Sequence, residues 1–137
     1  MTRDDMKALI ERLHRIWNTG DLGAIPDIYA DDFVFHWSKS YAATVSHGHE
    51  GIEAVIQDTL ALFPDWQEDI VDRVIEGDRI VTHYTSTGTH KGAFLDLEPT
   101  GRRIKIDEIS IFRVEGGKVA EQRCPVDDLT LLRQLRR

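Results

Sequence analysis

The sequence predicts an α+β fold in which a curved, mostly antiparallel sheet wraps around N-terminal helices. Two observations carry this. Apolar residues recur at helical spacing up to Phe63, and after Pro64-Asp65 the pattern changes to alternation through four long segments. Glycine-containing pairs, Gly77-Asp78 and Gly116-Gly117, then separate the alternating segments as hairpin turns would. Helices gathered at one end and a meander at the other give a helical layer packed on a sheet. A long curved sheet folded over helices leaves a cone with a cavity between the layers, an architecture suited to small molecules.

The elements follow in order. Residues 2–18 form a helix, with Met6, Leu9, Ile10, Leu13, Ile16 and Trp17 on one stripe. Thr2 with Asp5 resembles a capping box at its start, and Gly20 suits its stop. A short helix follows from Leu22 to Tyr29, with Pro26 near its first turn. Phe33 to Trp37 is crowded with bulky apolar and aromatic residues and reads as a strand. Glu50 to Phe63 is a third helix that buries Ile52, Val55, Ile56, Leu60 and Phe63. Gln67–Ile75, Arg79–Thr89, Arg103–Val114 and Lys118–Pro125 are the strands, and Leu129–Leu135 a short closing helix. Between the second and third of these strands, the glycine-rich stretch from Thr87 to Ile104 carries His90, Phe94 and Leu95, and so must fold back onto apolar surface.

The chain has 137 residues, enough for a single domain spanning 1–137 with a real core. A net charge of −7 opposes nucleic-acid binding, which needs a clustered basic face. Arg133, Arg136 and Arg137 are the only dense basic cluster and read as a solvated helix end. No apolar run approaches a membrane span. The acidic, amphipathic start is neither a signal peptide nor a transit peptide. Cys124 stands alone, which leaves no internal disulfide and fits a reducing cytoplasm.

Six stretches together resemble one family. They are HGHEGI at 47–52, FPDW at 63–66, EGDRIV at 76–81, GTHKGAFLDLEPTGRRI at 88–104, GGKVAEQ at 116–122 and DDLTLLRQL at 127–135. Their order and spacing resemble the SnoaL-like polyketide cyclases, or ester cyclases, of the nuclear transport factor 2-like superfamily, from roughly Tyr29 to the end of the chain. The resemblance implies a cystatin-like cone-shaped α+β barrel, a homodimer formed through the outer sheet face, and no metal or other cofactor. It also implies cofactor-free removal of an acidic proton beside a carbonyl, with an Asp near the C-terminus as acid/base. The scaffold hosts enzymes and non-enzymes alike, so the fold does not settle the function.

The position matching that Asp is Asp127. A base for this chemistry needs a carboxylate whose pKa is raised by partial burial. The alternative is a helix cap, which either Asp127 or Asp128 could supply; the resemblance makes Asp127 the acid/base and Asp128 the cap or a surface residue. The resemblance places His36 on the first strand, facing the cavity as proton shuttle or donor to a substrate oxygen. Its alternative is a half-buried His bonded to the backbone. Trp37 faces the other way and reads as packing. His90, between two glycines, either meets the ligand or ties its loop together. Tyr84 shares a strand face with Thr82 and Ser86, opposite His83 and Thr85, and both faces are mixed.

On the next strand Ile104, Ile106, Glu108, Ser110 and Phe112 share a face. The resemblance puts polar groups, including a His, near this strand's end, where this chain has Ser110 and Phe112. Glu108 could serve as a second carboxylate, or pair with Arg123 on the neighbouring strand. Relatives carry His-Trp where this chain has Gln122-Arg123; an Arg in the cavity suggests an anionic ligand. The spacing of His47, His49 and Glu50 is not that of a helical zinc motif. Three functions stay open: a cyclase- or isomerase-type enzyme, a small-molecule binding module, and an epoxide hydrolase or hydratase built on an Asp-Arg-Asp set.

Overall fold

In a computed structural model of the chain, which describes residues 1–39 and 42–136, the first helix is α1, Arg3–Thr19. Thr2 accepts from the Asp5 amide while the Asp5 carboxylate accepts from the Thr2 amide, a reciprocal cap that satisfies two otherwise unpaired donors. Gly20 ends the helix in the left-handed conformation, φ 71°, which costs glycine least. The stripe Met6, Leu9, Ile10, Leu13, Ile16 and Trp17 is buried as expected, and His14 is buried with it. The segment expected as one short helix is a 3-10 turn, Leu22–Ala24, followed by α2, Ile25–Ile28.

Strand β1, Tyr29–Lys39, is longer at both ends than the sequence suggested. An unforeseen strand β2, Ala42–His47, is paired with it antiparallel. Helix α3, Gly48–Leu62, then crosses to the far edge of the sheet, and β3 (Gln67–Glu76), β4 (Arg79–Thr89), β5 (Arg103–Glu115) and β6 (Lys118–Pro125) meander back. The six strands lie in the order β2-β1-β6-β5-β4-β3. All neighbours are antiparallel except β1 and β6, which run parallel, so the sheet is mixed, curved and not closed. Helix α4, Asp128–Leu135, seats Leu131 and Leu135 into the core.

Burial alternates along β4 and β5, which decides their faces. Ile80, Thr82, Tyr84 and Ser86 point inward, as do Ile104, Ile106, Glu108, Ser110 and Phe112. His83 and Thr85 face outward beside Asp107.

The connection from β4 to β5 docks on the C-terminal end of α3. The amides of Lys91 and Gly92 both donate to the Leu62 carbonyl, at 2.8 and 3.2 Å, occupying an acceptor that the helix end leaves open. Asp65 accepts from the amide and hydroxyl of Thr89 at 2.6 and 2.7 Å. A Cβ on Gly92 would lie 2.5 Å from the Ala61 carbonyl oxygen. Gly92→Ala must therefore push the loop off the helix. It should cost about 1–3 kcal/mol, the usual range for overpacking, read as a lowered urea midpoint. A loss under about 0.5 kcal/mol would mean that the loop does not need this close approach.

Candidate functional site

Between the concave face of the sheet and the helices lies a cavity of about 110 Å³. Helix α1 contributes Leu13, His14 and Trp17, α3 Val55, Thr59 and Leu62, and α4 Asp128 and Leu131. The sheet contributes Phe35 and Trp37 from β1, Glu68 from β3, Tyr84 from β4, Ile106 and Glu108 from β5, and Gln122 and Cys124 from β6. Phe94 of the docked loop completes one wall. The surface is largely apolar and aromatic, with polar groups gathered in two networks.

The first network joins α1 to β3. His14 Nδ1 lies 2.7 Å from Glu68 Oε1, and its Nε2 lies 3.1 Å from the Thr82 hydroxyl. Trp66 Nε1 donates to Glu68 Oε2 at 2.9 Å. Both partners of the pair are buried, 3% and 7% exposed. Such burial is tolerable because every polar atom of the Glu68 carboxylate finds a donor.

The second network centres on Glu108. Gln122 Nε2 donates to the Ser110 hydroxyl at 3.1 Å, Ser110 lies 2.9 Å from the Tyr84 hydroxyl, and Tyr84 reaches Glu108 Oε2 at a long 3.4 Å. The Cys124 thiol also points at Glu108 Oε2, at 3.5 Å. Burial pushes the Glu108 carboxyl up to about 7, and the charge of Glu68 adds to this. Burial, with the charge of Glu108, pushes the Cys124 thiol up to about 12, which keeps it a thiol at neutral pH. Tyr84 is pushed well above its usual value by burial and remains a phenol donor.

The raised Glu108 gives a stability signature. An acid whose pKa is higher folded than unfolded contributes most below its unfolded value, near 4.5, and that contribution is lost as pH rises through about 7. Wild-type stability should therefore fall relative to Glu108→Gln between pH 5 and 8, by roughly 3 kcal/mol at the 1.36 kcal/mol per pH unit of linkage. Parallel urea midpoints for the two proteins across that range would refute the raised value.

The structure redistributes the expected site residues. Asp127 does not face the cavity. It is exposed and caps α4, accepting from the Thr130 amide at 3.1 Å and hydroxyl at 2.7 Å, and these bonds lower its pKa. Asp128, expected as the cap or a surface group, is 2% exposed and lines the cavity, because it shares the buried stripe of α4 with Leu131 and Leu135. His36 faces outward instead of inward; its Nε2 lies 3.1 Å from Glu121 Oε2. It sits in an outer row with Val45 and Arg123, paired across β2, β1 and β6. Trp37, on the opposite face, is a cavity wall rather than plain packing.

Arg123 is exposed on that same outer row, so it neither pairs with Glu108 nor brings positive charge to the cavity. His90 is buried and ties its loop: its Nδ1 accepts from the Thr100 amide at 3.1 Å, and its ring lies against Phe63. It does not line the cavity. Ser110 stands behind Tyr84, and Phe112 is core beside His14, their ring centroids 6.0 Å apart. Tyr84 and Glu108 do line the cavity. Four further lining residues escaped the sequence reading as site candidates: His14, Glu68, Gln122 and Asp128. Each holds a position in a buried periodic stripe, where a polar residue is the informative departure. Among the described residues, no group of three or more His, Cys, Asp and Glu is placed to hold a metal ion. Among them, too, no helix is long and apolar enough to cross a membrane.

A curved mixed sheet cupping a mostly apolar cavity with convergent carboxylates defines a ketosteroid isomerase-like scaffold. A protein of Catenulispora acidiphila described with that fold, and solved in complex with trimethylamine, superposes with a TM-score of 0.77 at 16% identity over 93% of this chain and 92% of its own. The family profile of the SnoaL-like polyketide cyclases matches residues 7–135, and the chain belongs to that family. IdmH from Streptomyces antibioticus, provisionally described as a polyketide cyclase, is 31% identical with a TM-score of 0.83, covering 96% of this chain and 98% of its own. AclR from Streptomyces galilaeus, provisionally described as a hydroxylase, is 27% identical with the same TM-score, covering 98% of both chains. No curated protein matches the sequence significantly.

Proposed function

We propose that this chain is a cofactor-independent enzyme of the cyclase/isomerase type, moving a proton next to a carbonyl in a small apolar or aromatic molecule. The observation that carries the reading is the presence of Asp128 and Glu108 in one apolar cavity, the latter held protonated to near neutrality. Two carboxyls with different environments can divide the roles of base and acid. The Asp128 carboxylate takes the proton from the carbon beside the carbonyl. Glu108, accepting from Tyr84 and Cys124 at Oε2, keeps its own proton on Oε1 and donates it as a hydrogen bond to the oxygen on which charge develops. In a cyclisation the enolate carbon then bonds to a second carbonyl carbon, and the resulting alkoxide recovers its proton from the Asp128 carboxylic acid. The acid/base role thus moves one residue on from Asp127, and the orienting role passes from His36 to Glu108. A cavity of about 110 Å³ takes one ring-sized part of a ligand at a time.

The test is deuterium incorporation, followed by NMR, into the acidic C–H of a small aromatic β-keto ester in D2O. Exchange well above the buffer rate supports the reading; exchange at the buffer rate across a panel of such esters rejects it. A second reading, a binding module without chemistry, is favoured by one observation: the donors of Tyr84, Cys124 and Gln122 are committed to neighbouring side chains. A ligand that binds tightly and is recovered unchanged would support it. The hydratase reading loses its motive, because Arg123 lies outside the cavity.

The homodimer remains part of this proposal. Its support is the outer sheet face, where Ile109, Ile111 and Val45 are 54%, 40% and 50% exposed. A monomeric mass by light scattering at micromolar concentration would exclude it.

A further inference from the structure

The charge and donor inventory of the cavity restricts what it can hold. Three carboxylates reach it, Glu68, Glu108 and Asp128, while no Lys or Arg occurs among the described residues that line it. His14 is the one basic group there, and it is committed to Glu68. Several wall donors are directed to wall acceptors: one N–H of Gln122 Nε2 to Ser110, Tyr84 and Cys124 to Glu108, and Trp66 to Glu68. Among the described residues that line the cavity, one amide acceptor stands without a partner. Gln122 is 3% exposed, and its Oε1 is buried without a partner. A buried carbonyl oxygen without a donor is costly, and native structures leave few. Around these groups stand the rings of Trp17, Trp37, Trp66, Phe35, Phe63 and Phe94.

We propose that the cavity takes a ligand whose buried end is a protonated amine. Its N–H is donated to Gln122 Oε1, and its positive charge is set against Glu108 and Asp128 among the aromatic faces. Aromatic faces carry negative quadrupole and attract cations, most strongly where water is excluded. An ammonium is also attracted by the carboxylates that share this low-dielectric space. A neutral hydroxyl would satisfy Gln122 but gain no attraction from the carboxylates, and an anion would be repelled by them. The inference rests on the reading that this cavity is the ligand site. It concerns binding alone, so it can fail while proton transfer stands.

All three tryptophans of the chain line the cavity, so intrinsic fluorescence reads its occupancy. The probes are cyclopentylamine and cyclopentanol, which share a shape and a donor but differ in charge. At pH 8 the amine should bind at least tenfold more tightly than the alcohol. Glu108→Gln and Asp128→Asn should each narrow that ratio. Lowering the pH through 7 should weaken the amine and spare the alcohol, as Glu108 takes up a proton. The titratable groups that share the cavity with Glu108 are His14 from α1, Glu68 from β3, Tyr84 from β4, Cys124 from β6 and Asp128 from α4.

Equal affinities, a preference for the alcohol, or no binding of the amine at millimolar concentration would overturn the proposal. Deuterium exchange into a neutral β-keto ester without any amine preference would sink this proposal alone. An amine preference without exchange into any ester would sink only the proton-transfer reading.

Discussion

Asp128→Asn should lower the rate of deuterium exchange by roughly 10²–10⁴-fold, the usual contribution of a positioned general base, while the protein stays folded. Asp127→Ala should leave that rate within about twofold and instead cost about 1 kcal/mol of stability, the typical price of a lost N-cap. The two substitutions are adjacent in sequence and opposite in expectation because the helix places them differently. Asp127 sits at the cap with its oxygens on the Thr130 amide and hydroxyl; Asp128 turns inward on the stripe of Leu131 and Leu135. Asparagine preserves the shape of Asp128 and removes its basicity, so circular dichroism separates lost chemistry from lost fold. If Asp127→Ala abolished exchange and Asp128→Asn did not, the acid/base role would return to Asp127.

That reversal shows where the sequence was legible. The alternating strands β3 to β6 could be read because their turns carry glycine and their inward positions keep a period of two. The edge strand β2 could not, since ATVSH lacks a strong alternating pattern. The parallel pairing of β1 with β6 joins segments far apart in sequence, which no local period records. On β4 both faces carry hydroxyls or rings, so polarity alone gave no direction. Parity did hold the answer: Ile80 and Gly88 share the face of Tyr84, and a Cβ on Gly88 would lie 2.8 Å from Phe63 Cβ. The same test would have chosen between the two aspartates. Asp127 followed three residues later by Thr130 is a cap pattern, whereas Asp128 keeps helical spacing with Leu131 and Leu135. The matching of Asp127 came from resemblance, which transfers a motif position but not the rotation of the helix that carries it.

The pair His14–Glu68 sets the second large effect. Glu68→Leu should destabilise the fold by about 3–5 kcal/mol, because it leaves His14 Nδ1 and Trp66 Nε1 buried without their acceptor. Marginal stabilities of about 5–15 kcal/mol make this a large fraction of the total. The double variant His14→Leu/Glu68→Leu should lose clearly less than the sum of the two single losses, with a coupling of about 0.5–3 kcal/mol in urea denaturation. Additive losses, or a Glu68→Leu cost below about 1 kcal/mol, would show that the pair is not a unit. A pair of this kind is weak evidence for stability, since apolar residues of similar volume often replace it without loss. Its position suggests a different use. The Glu68 charge helps hold the Glu108 carboxyl at about 7, and His14 with Trp66 keeps that charge in place. Glu68→Gln, which retains a shape and an acceptor but not the charge, should lower the pH at which Glu108 ionises. Removing a neighbouring negative charge makes ionisation easier, so the pH profile of deuterium exchange should move to lower pH. An unmoved profile with reduced stability would confine His14 and Glu68 to a structural role. A shifted profile would make them the groups that position the acid for its task.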